Sequence, residues 1–406
     1  RSRPADGTYR ERRLQVGILT NSATPAPSPQ PQIPIPVHLA VVDLVPWDYT
    51  IETAYSKPLG GSQSALCYLA EELARRGHDV QLINNTARPG AHRGVVHLPL
   101  AKAHGDVWKS FDAVVLLNGI KPAQSIRPLL RPDARLIAWI QHADDQPAVQ
   151  PLAREAVRNQ FDGFALLSDW QSGRFVEKYQ LDPVKTRILR NAIGPAFRGL
   201  FSASDDIVAA KKQPPVLAYT STPYRGLDLL VHAFPAIRAK VKGTTLRVYS
   251  SMQVYQATAA RDAADYGHLY DLCRDTPGVE YFGSVAQTEL AARMREITML
   301  AYPNHFAETS CIAAMEAMAA GSLIVTSALG ALPETTAGFA RLLPVGDDWL
   351  GYSDRFVDEA VEALGEIEEQ PEKINGLLRR QVAHCNAECT WAKRADEWEA
   401  WLTAKP

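Results

Sequence analysis

Two glutamates eight residues apart in HFAETSCIAAMEAMAAG stand out as side chains that could act on one ligand: Glu308 just before a helical pattern and Glu316 inside it. Eight residues is just over two helical turns, so both carboxylates can line one wall of a cleft while Ile312, Met315 and Ala319 pack inward. The plainer readings are a charge complementing a helix N-terminus for Glu308 and a solvated helix charge for Glu316. The run of Ala and Met around Glu316 leaves it few charged neighbours and argues against solvation. Arg225, in YTSTPYRGLDLL, occupies a short loop between a strand and a helix, where a guanidinium can clamp a diphosphate through paired charge-assisted hydrogen bonds. Without the other features it would read as an exposed loop arginine. Gly60 and Gly61 open a helix beginning at Ser62: glycine lets the backbone approach a ligand, and a helix start offers unpaired N–H groups to an anion. Paired glycines are also ordinary turn chemistry. Together these residues point to binding of a phosphate-bearing ligand.

The elements that must carry them form a strand–helix–strand rhythm. Residues 37–45 (VHLAVVDLV) are a nearly continuous apolar run, as expected of a strand buried on both faces of a parallel sheet. A helix over 62–76 follows, with Ser62 as its cap and Gly77 as its stop. Strands are predicted at 79–84, 113–117, 136–140 and 163–167. The pattern restarts at Val216, with strands from there and at 246–250, 279–282, 299–302 and 323–326, and helices over 227–241, 288–297 and 310–320. This is α/β with two doubly wound parallel-sheet domains. Residues 37–195 and 216–385 are the two domains, and the polar, proline-bearing stretch 196–215 is the hinge. Residues 386–406, with Trp391, Trp398 and Trp401, are a helix expected to pack back across the junction. Residues 1–36 are a proline-rich extension: PAPSPQPQIPIP favours polyproline II, and LQVGILT at 14–20 reads as a short strand.

Composition narrows the function classes. The 406 residues suffice for two cores, and 43 Lys and Arg against 45 Asp and Glu give no basic bias toward nucleic acid. The five cysteines are scattered, and only Cys385 and Cys389 are close, so reduced thiols are expected rather than disulfides or a metal site. No window has the roughly 20 apolar residues of a membrane span. A cytoplasmic enzyme, peripheral on the inner membrane face at most, is the expectation. The chain opens at Arg1, read as processing or as part of a longer protein.

ETSCIAAME resembles the E-x7-E motif of glycosyltransferase family 4, retaining enzymes of the GT-B fold. GGSQSALCYLAEELARRGHDV, AWIQH, ALLSDW, ILRNAI, YFGSV, LAYPNHFAETS, VTSALGALPET and TWAKRADEWEAWL follow in the family's order, covering about residues 37–402. The resemblance implies that Glu316 bonds the donor ribose and Glu308 the transferred sugar, with Arg225 in place of the family's phosphate-binding lysine. It implies that His142 touches the transferred sugar, although a histidine ending an apolar strand is as often a packed core residue. It places Gly283, Ser284 and Val285 by the base, Gly60 and Gly61 across from the diphosphate, and backbone N–H groups of Thr309, Ser310, Cys311 and Ile312 around the sugar or diphosphate. The sequence departs from the family at Thr220, where an arginine is usual, and at Thr309 and Ser310, where glycines are usual.

The implied reaction is retaining, metal-independent sugar transfer from a nucleoside diphosphate sugar, a UDP- or GDP-sugar, with no cofactor. The acceptor, a glycan or lipid-linked hydroxyl, would sit in first-domain loops at 46–57, 118–121 and 143–146. Two other readings stay open: a nucleotide-sugar-binding partner without catalysis, to which Thr220 lends weight, and a sugar-nucleotide epimerase of the same architecture.

Overall fold

A computed structural model of the chain describes residues 36–404. The strand expected at 14–20 and the proline-rich stretch up to residue 35 lie outside the described residues. The first sheet contains β1 (His38–Asp43), β2 (Asp79–Asn84), β3 (Gly90–His92), β4 (Val95–Pro99), β5 (Ala113–Leu117), β6 (Arg135–Trp139), β7 (Gly163–Leu166) and β8 (Thr186–Ile188). Their spatial order is β3-β4-β2-β1-β5-β6-β7-β8. Every pairing is parallel except β3 with β4.

Side-chain alternation explains the unbroken apolar run of β1. Leu39 and Val41 enter a core with the helix Gly61–Arg75, whereas Ala40 and Val42 enter a second core on the other face with Phe161, Phe164 and Phe175. A strand sandwiched this way has no polar side.

The second sheet contains β9 (Val216–Tyr219), β10 (Thr245–Val248), β11 (Val279–Tyr281), β12 (Met299–Tyr302), β13 (Leu323–Ser327) and β14 (Arg341–Leu343). All its pairings are parallel, in the order β11-β10-β9-β12-β13-β14. Its core also takes up Phe197, Phe201 and Ile207, so the stretch read as a hinge is packed against the second domain over much of its length. Helices Trp349–Glu369 and Pro371–Glu388 complete this domain; the sequence reading assigned no element there.

The last helix, Trp391–Leu402, returns to the first domain, where Trp398 meets Trp139 edge-on at 5.3 Å between ring centroids. Thr390 caps its start by accepting the Lys393 N–H. All five cysteines are buried and free.

Several boundaries differ from expectation. The helix predicted from Ser310 begins at Ile312, with Cys311 at its cap. Ser62 is not a cap: the helix runs Gly61–Arg75, and the cap position is held by Gly60, which has no side chain to make a cap bond. Two glycines supply the turn that Ser62 was expected to make.

Candidate functional site

In open parallel sheets, ligands collect beyond the carboxyl ends of the strands where the order reverses. In the second sheet this point lies between β9 and β12, whose loops carry Arg225 and Glu308. The two loops interlock at Gly226. Its φ of +103° is left-handed, and any Cβ there would strike the Pro303 carbonyl. Only glycine permits both the turn and the approach.

The approach produces an ion pair. Arg225 Nη1 donates to Glu308 Oε1 at 2.9 Å and to Oε2 at 3.1 Å, and the Tyr302 hydroxyl donates to Oε1 at 2.7 Å. Glu308 is buried, at 4% exposure, so it is not a solvated helix-end charge. Burial alone would lower the Arg225 pKa, but Glu308 beside it carries it well above the ordinary arginine value. Glu308 is fixed from behind as well: the Ala331 N–H donates to its carbonyl at 2.7 Å, and a Cβ on Gly330 would meet that same backbone.

Glu316 is also 4% exposed and accepts the Gly194 N–H at 3.2 Å. Burial pushes its pKa up to about 7, partly offset by the Gly194 bond and by Gln287. The two carboxylates therefore sit in unlike surroundings, one matched by a guanidinium and the other held mainly by backbone.

Both line a single cleft between the domains, with about 1090 Å³ of open space including its mouth. Gly60, Gly61, Arg225, Ser284, Val285, Glu308, Thr309, Ser310, Cys311, Ile312 and Glu316 share this cavity. Ile312, expected to pack inward, is only partly buried and faces it. Gly283, at φ +67°, shapes the loop but does not line the cavity.

His142 is the main displacement from expectation. Its neighbour Gln141 lines the cavity, whereas the His142 ring lies outside that wall, with Nδ1 buried and unpartnered and its pKa lowered by burial. Its carbonyl accepts from Gln171 Nε2 at 2.7 Å, which turns the backbone away after β6.

Thr309, one of the departures from the resembled motif, bridges the domains by donating its hydroxyl to the Gln141 carbonyl at 2.8 Å. The sequence reading did not pick out Gln141, Asn191, Thr222, Tyr249, Tyr255 or Gln287, which also line the cavity. Most lie just past strand ends, the one positional signal that could have found them.

The wall is left with unused hydrogen-bonding capacity. Arg225 Nε, Thr222 Oγ1, the Tyr249 hydroxyl and Gln287 Oε1 are buried without partners. Buried polar atoms are normally paired, so their concentration along one cavity marks a place for a polar ligand.

Residues 214–365 match the sequence model of the family described as Glycosyl transferases group 1. Among curated proteins, none matches this sequence. Solved structures give the fold. HepE from Anabaena, in complex with UDP and glucose, superposes with a TM-score of 0.64 at 14% identity, over 90% of this chain and 100% of that one. WaaG, a glycosyltransferase involved in lipopolysaccharide biosynthesis, gives 0.61 at 15% identity, over 90% and 100%. Sucrose-phosphate synthase from Thermosynechococcus elongatus gives 0.62 at 15% identity, over 89% and 98%. The fold is GT-B: two parallel-sheet α/β domains with a cleft between them. Among the described residues, no helix is long and apolar enough to cross a membrane.

Proposed function

We propose that this protein transfers a sugar from a nucleoside diphosphate sugar to a glycan, lipid-linked or other hydroxyl acceptor, with retention of anomeric configuration and without a metal ion. The observation that carries this reading is the group of unpartnered buried polar atoms beside the Arg225–Glu308 pair, in a cleft built by both domains. The group 1 match over 214–365 supports it, because those residues supply most of the wall.

In this reading Glu316 accepts the ribose hydroxyls, and the loop at Ser284 and Val285 meets the base. Arg225 turns its free Nε–H toward the diphosphate. Glu308 accepts from the hydroxyls of the transferred sugar, and backbone N–H groups at Ser310–Ile312, entering the helix Ile312–Ala319, add positive potential. His142, behind Gln141, acts through the strand end that it shapes.

The acceptor oxygen bonds to the anomeric carbon as the bond from that carbon to the diphosphate oxygen breaks. The acceptor proton passes to the departing phosphate on the same face. Charge builds on the diphosphate, and Arg225 with the helix-start donors is already oriented to meet it. HepE was solved with UDP, which favours a UDP-sugar over a GDP-sugar as the donor here. We place the activity in the cytoplasm, with the acceptor held by first-domain loops.

A binding role without turnover is the second reading, favoured by one observation: Arg225 is already matched by Glu308, and Thr220 on the same wall adds no charge. Incubation with UDP-, GDP-, ADP- and TDP-sugars plus glycan acceptors, followed by product analysis, separates the readings. Acceptor-dependent nucleoside diphosphate release with a retained anomer supports transfer. Binding without release supports the second reading, and a changed sugar without acceptor indicates an epimerase.

A further inference from the structure

We infer that Trp47 and Tyr255 form a clasp across the cleft, and that Trp47 is a positioning residue that sets the first domain's helix start against the phosphate side of the donor site. The inference rests on the donor-binding reading above and concerns residues which that reading does not use.

Gly60 shows why the contact is built in. Its backbone is not in a glycine-only conformation, so the missing side chain is needed for space. A Cβ at Gly60 would lie 2.9 Å from Tyr255 Cε1 and 3.0 Å from Cδ1, with Oε1 of Gln63, from the same domain, also at 3.0 Å. The group pressed against this glycine is thus the tyrosine ring of the other domain. At Gly61 the nearest atom to such a Cβ is Ile312 Cδ1, at 3.4 Å, which again comes from the second domain.

Tyr255 ends the short helical turn Met252–Tyr255, which follows β10. Trp47, in the loop after β1, stacks on the Tyr255 ring at 5.7 Å with the planes 21° apart. Beside this stack, the Asp48 N–H donates to Gln256 Oε1 at 3.1 Å and Gln256 Nε2 donates to the Asp48 carbonyl at 3.0 Å. Asp48 is braced in turn by the Ala87 N–H at 2.9 Å. Gln256 reaches this position with φ of +54°, left-handed for a non-glycine residue. A stacked pair, a reciprocal amide pair and a close approach therefore join the segment between β1 and the helix Gly61–Arg75 to the turn after β10.

Tyr255 lines the cavity with Gly60, Gly61 and Arg225, whereas Trp47, Asp48 and Gln256 stand outside its wall. The clasp consequently fixes how far the N–H groups opening the helix Gly61–Arg75 stand from Arg225. A site with one guanidinium, already paired to Glu308, depends on that second source of positive potential for a diphosphate. A nucleoside needs only the second domain's wall and should not sense the clasp.

The test compares wild type, Trp47→Ala, Trp47→Phe and Gln256→Ala, each checked for unchanged circular dichroism. Two readouts are used: the radius of gyration of the free protein by X-ray scattering, and calorimetric titration with UDP and with uridine. In Trp47→Ala, UDP affinity should fall about tenfold, as for one weakened charge-assisted hydrogen bond, while uridine affinity stays unchanged and the radius of gyration rises. Trp47→Phe, which keeps a stacking ring, should restore UDP affinity, and Gln256→Ala should show a smaller loss. An unchanged radius together with unchanged UDP affinity overturns the clasp, as does an equal loss for UDP and uridine. If wild type binds neither ligand, the donor-binding reading fails, and the scattering result still decides whether the clasp holds the domains.

Discussion

Arg225 Nη1 lies 2.9 Å from Glu308 Oε1, so the cation best placed for a diphosphate is paired with the carboxylate best placed for a sugar. A phosphate must share or replace that partner. Glu308→Gln removes the competing charge and leaves Arg225 seeking an anion. Calorimetry should show nucleoside diphosphate binding tightened by up to about tenfold, while sugar transfer slows.

Arg225→Ala should act in the opposite direction. Loss of charge-assisted bonds worth about 1.5–3 kcal/mol corresponds to roughly ten- to a hundredfold weaker use of donor, measured as kcat/KM. Unchanged kinetics would remove Arg225 from the phosphate role.

Glu316 gives a pH dependence with a definite sign. Burial raises its pKa from 4.5 to about 7, so between those values the folded protein binds a proton that the unfolded chain has released. Stability from this group is therefore greatest below the window, falls as pH rises through it and levels off above about 7. The span is at most about 3 kcal/mol. Thermal melts of Glu316→Gln should lack this slope and should exceed wild type at pH 8. Uridine affinity should move the other way, rising from pH 6 to 8 in wild type as the carboxylate ionises to accept ribose hydroxyls, and staying flat in Glu316→Gln.

Gly330→Ala tests the support behind Glu308. At φ +60°, with its Cβ directed into the Glu308 backbone, alanine must displace the loop that aims the carboxylate. Turnover should drop at least tenfold with a lowered melting temperature, while affinity for the free nucleoside diphosphate, which does not need Glu308, is not weakened.

The central strands were legible because a parallel sheet covered on both faces leaves a continuous apolar signature, as in β1 and β5. That Glu308, Glu316 and Arg225 share one cleft was legible by type and spacing. The misread features depend on distant chain. Ser62 is the one local misreading: it looked like a cap, but the helix already begins at Gly61. Gly60 read as room for a ligand, whereas the ring against it belongs to Tyr255, almost two hundred residues away. His142 lies three residues past the end of β6, where Gln171 binds its carbonyl and Gln141 takes the cavity position. Thr309 looked like a lost glycine until its bond to the Gln141 carbonyl appeared.

The most direct test of donor binding is calorimetric titration of the purified chain with UDP, GDP, ADP and TDP, each with and without a chelator, in wild type and Glu316→Ala. The predicted result is saturable binding of one nucleoside diphosphate, UDP foremost, indifferent to the chelator and weakened at least tenfold by the substitution. Absence of binding by all four, or binding that Glu316→Ala leaves intact, contradicts the assignment of this cleft to a nucleotide-sugar donor.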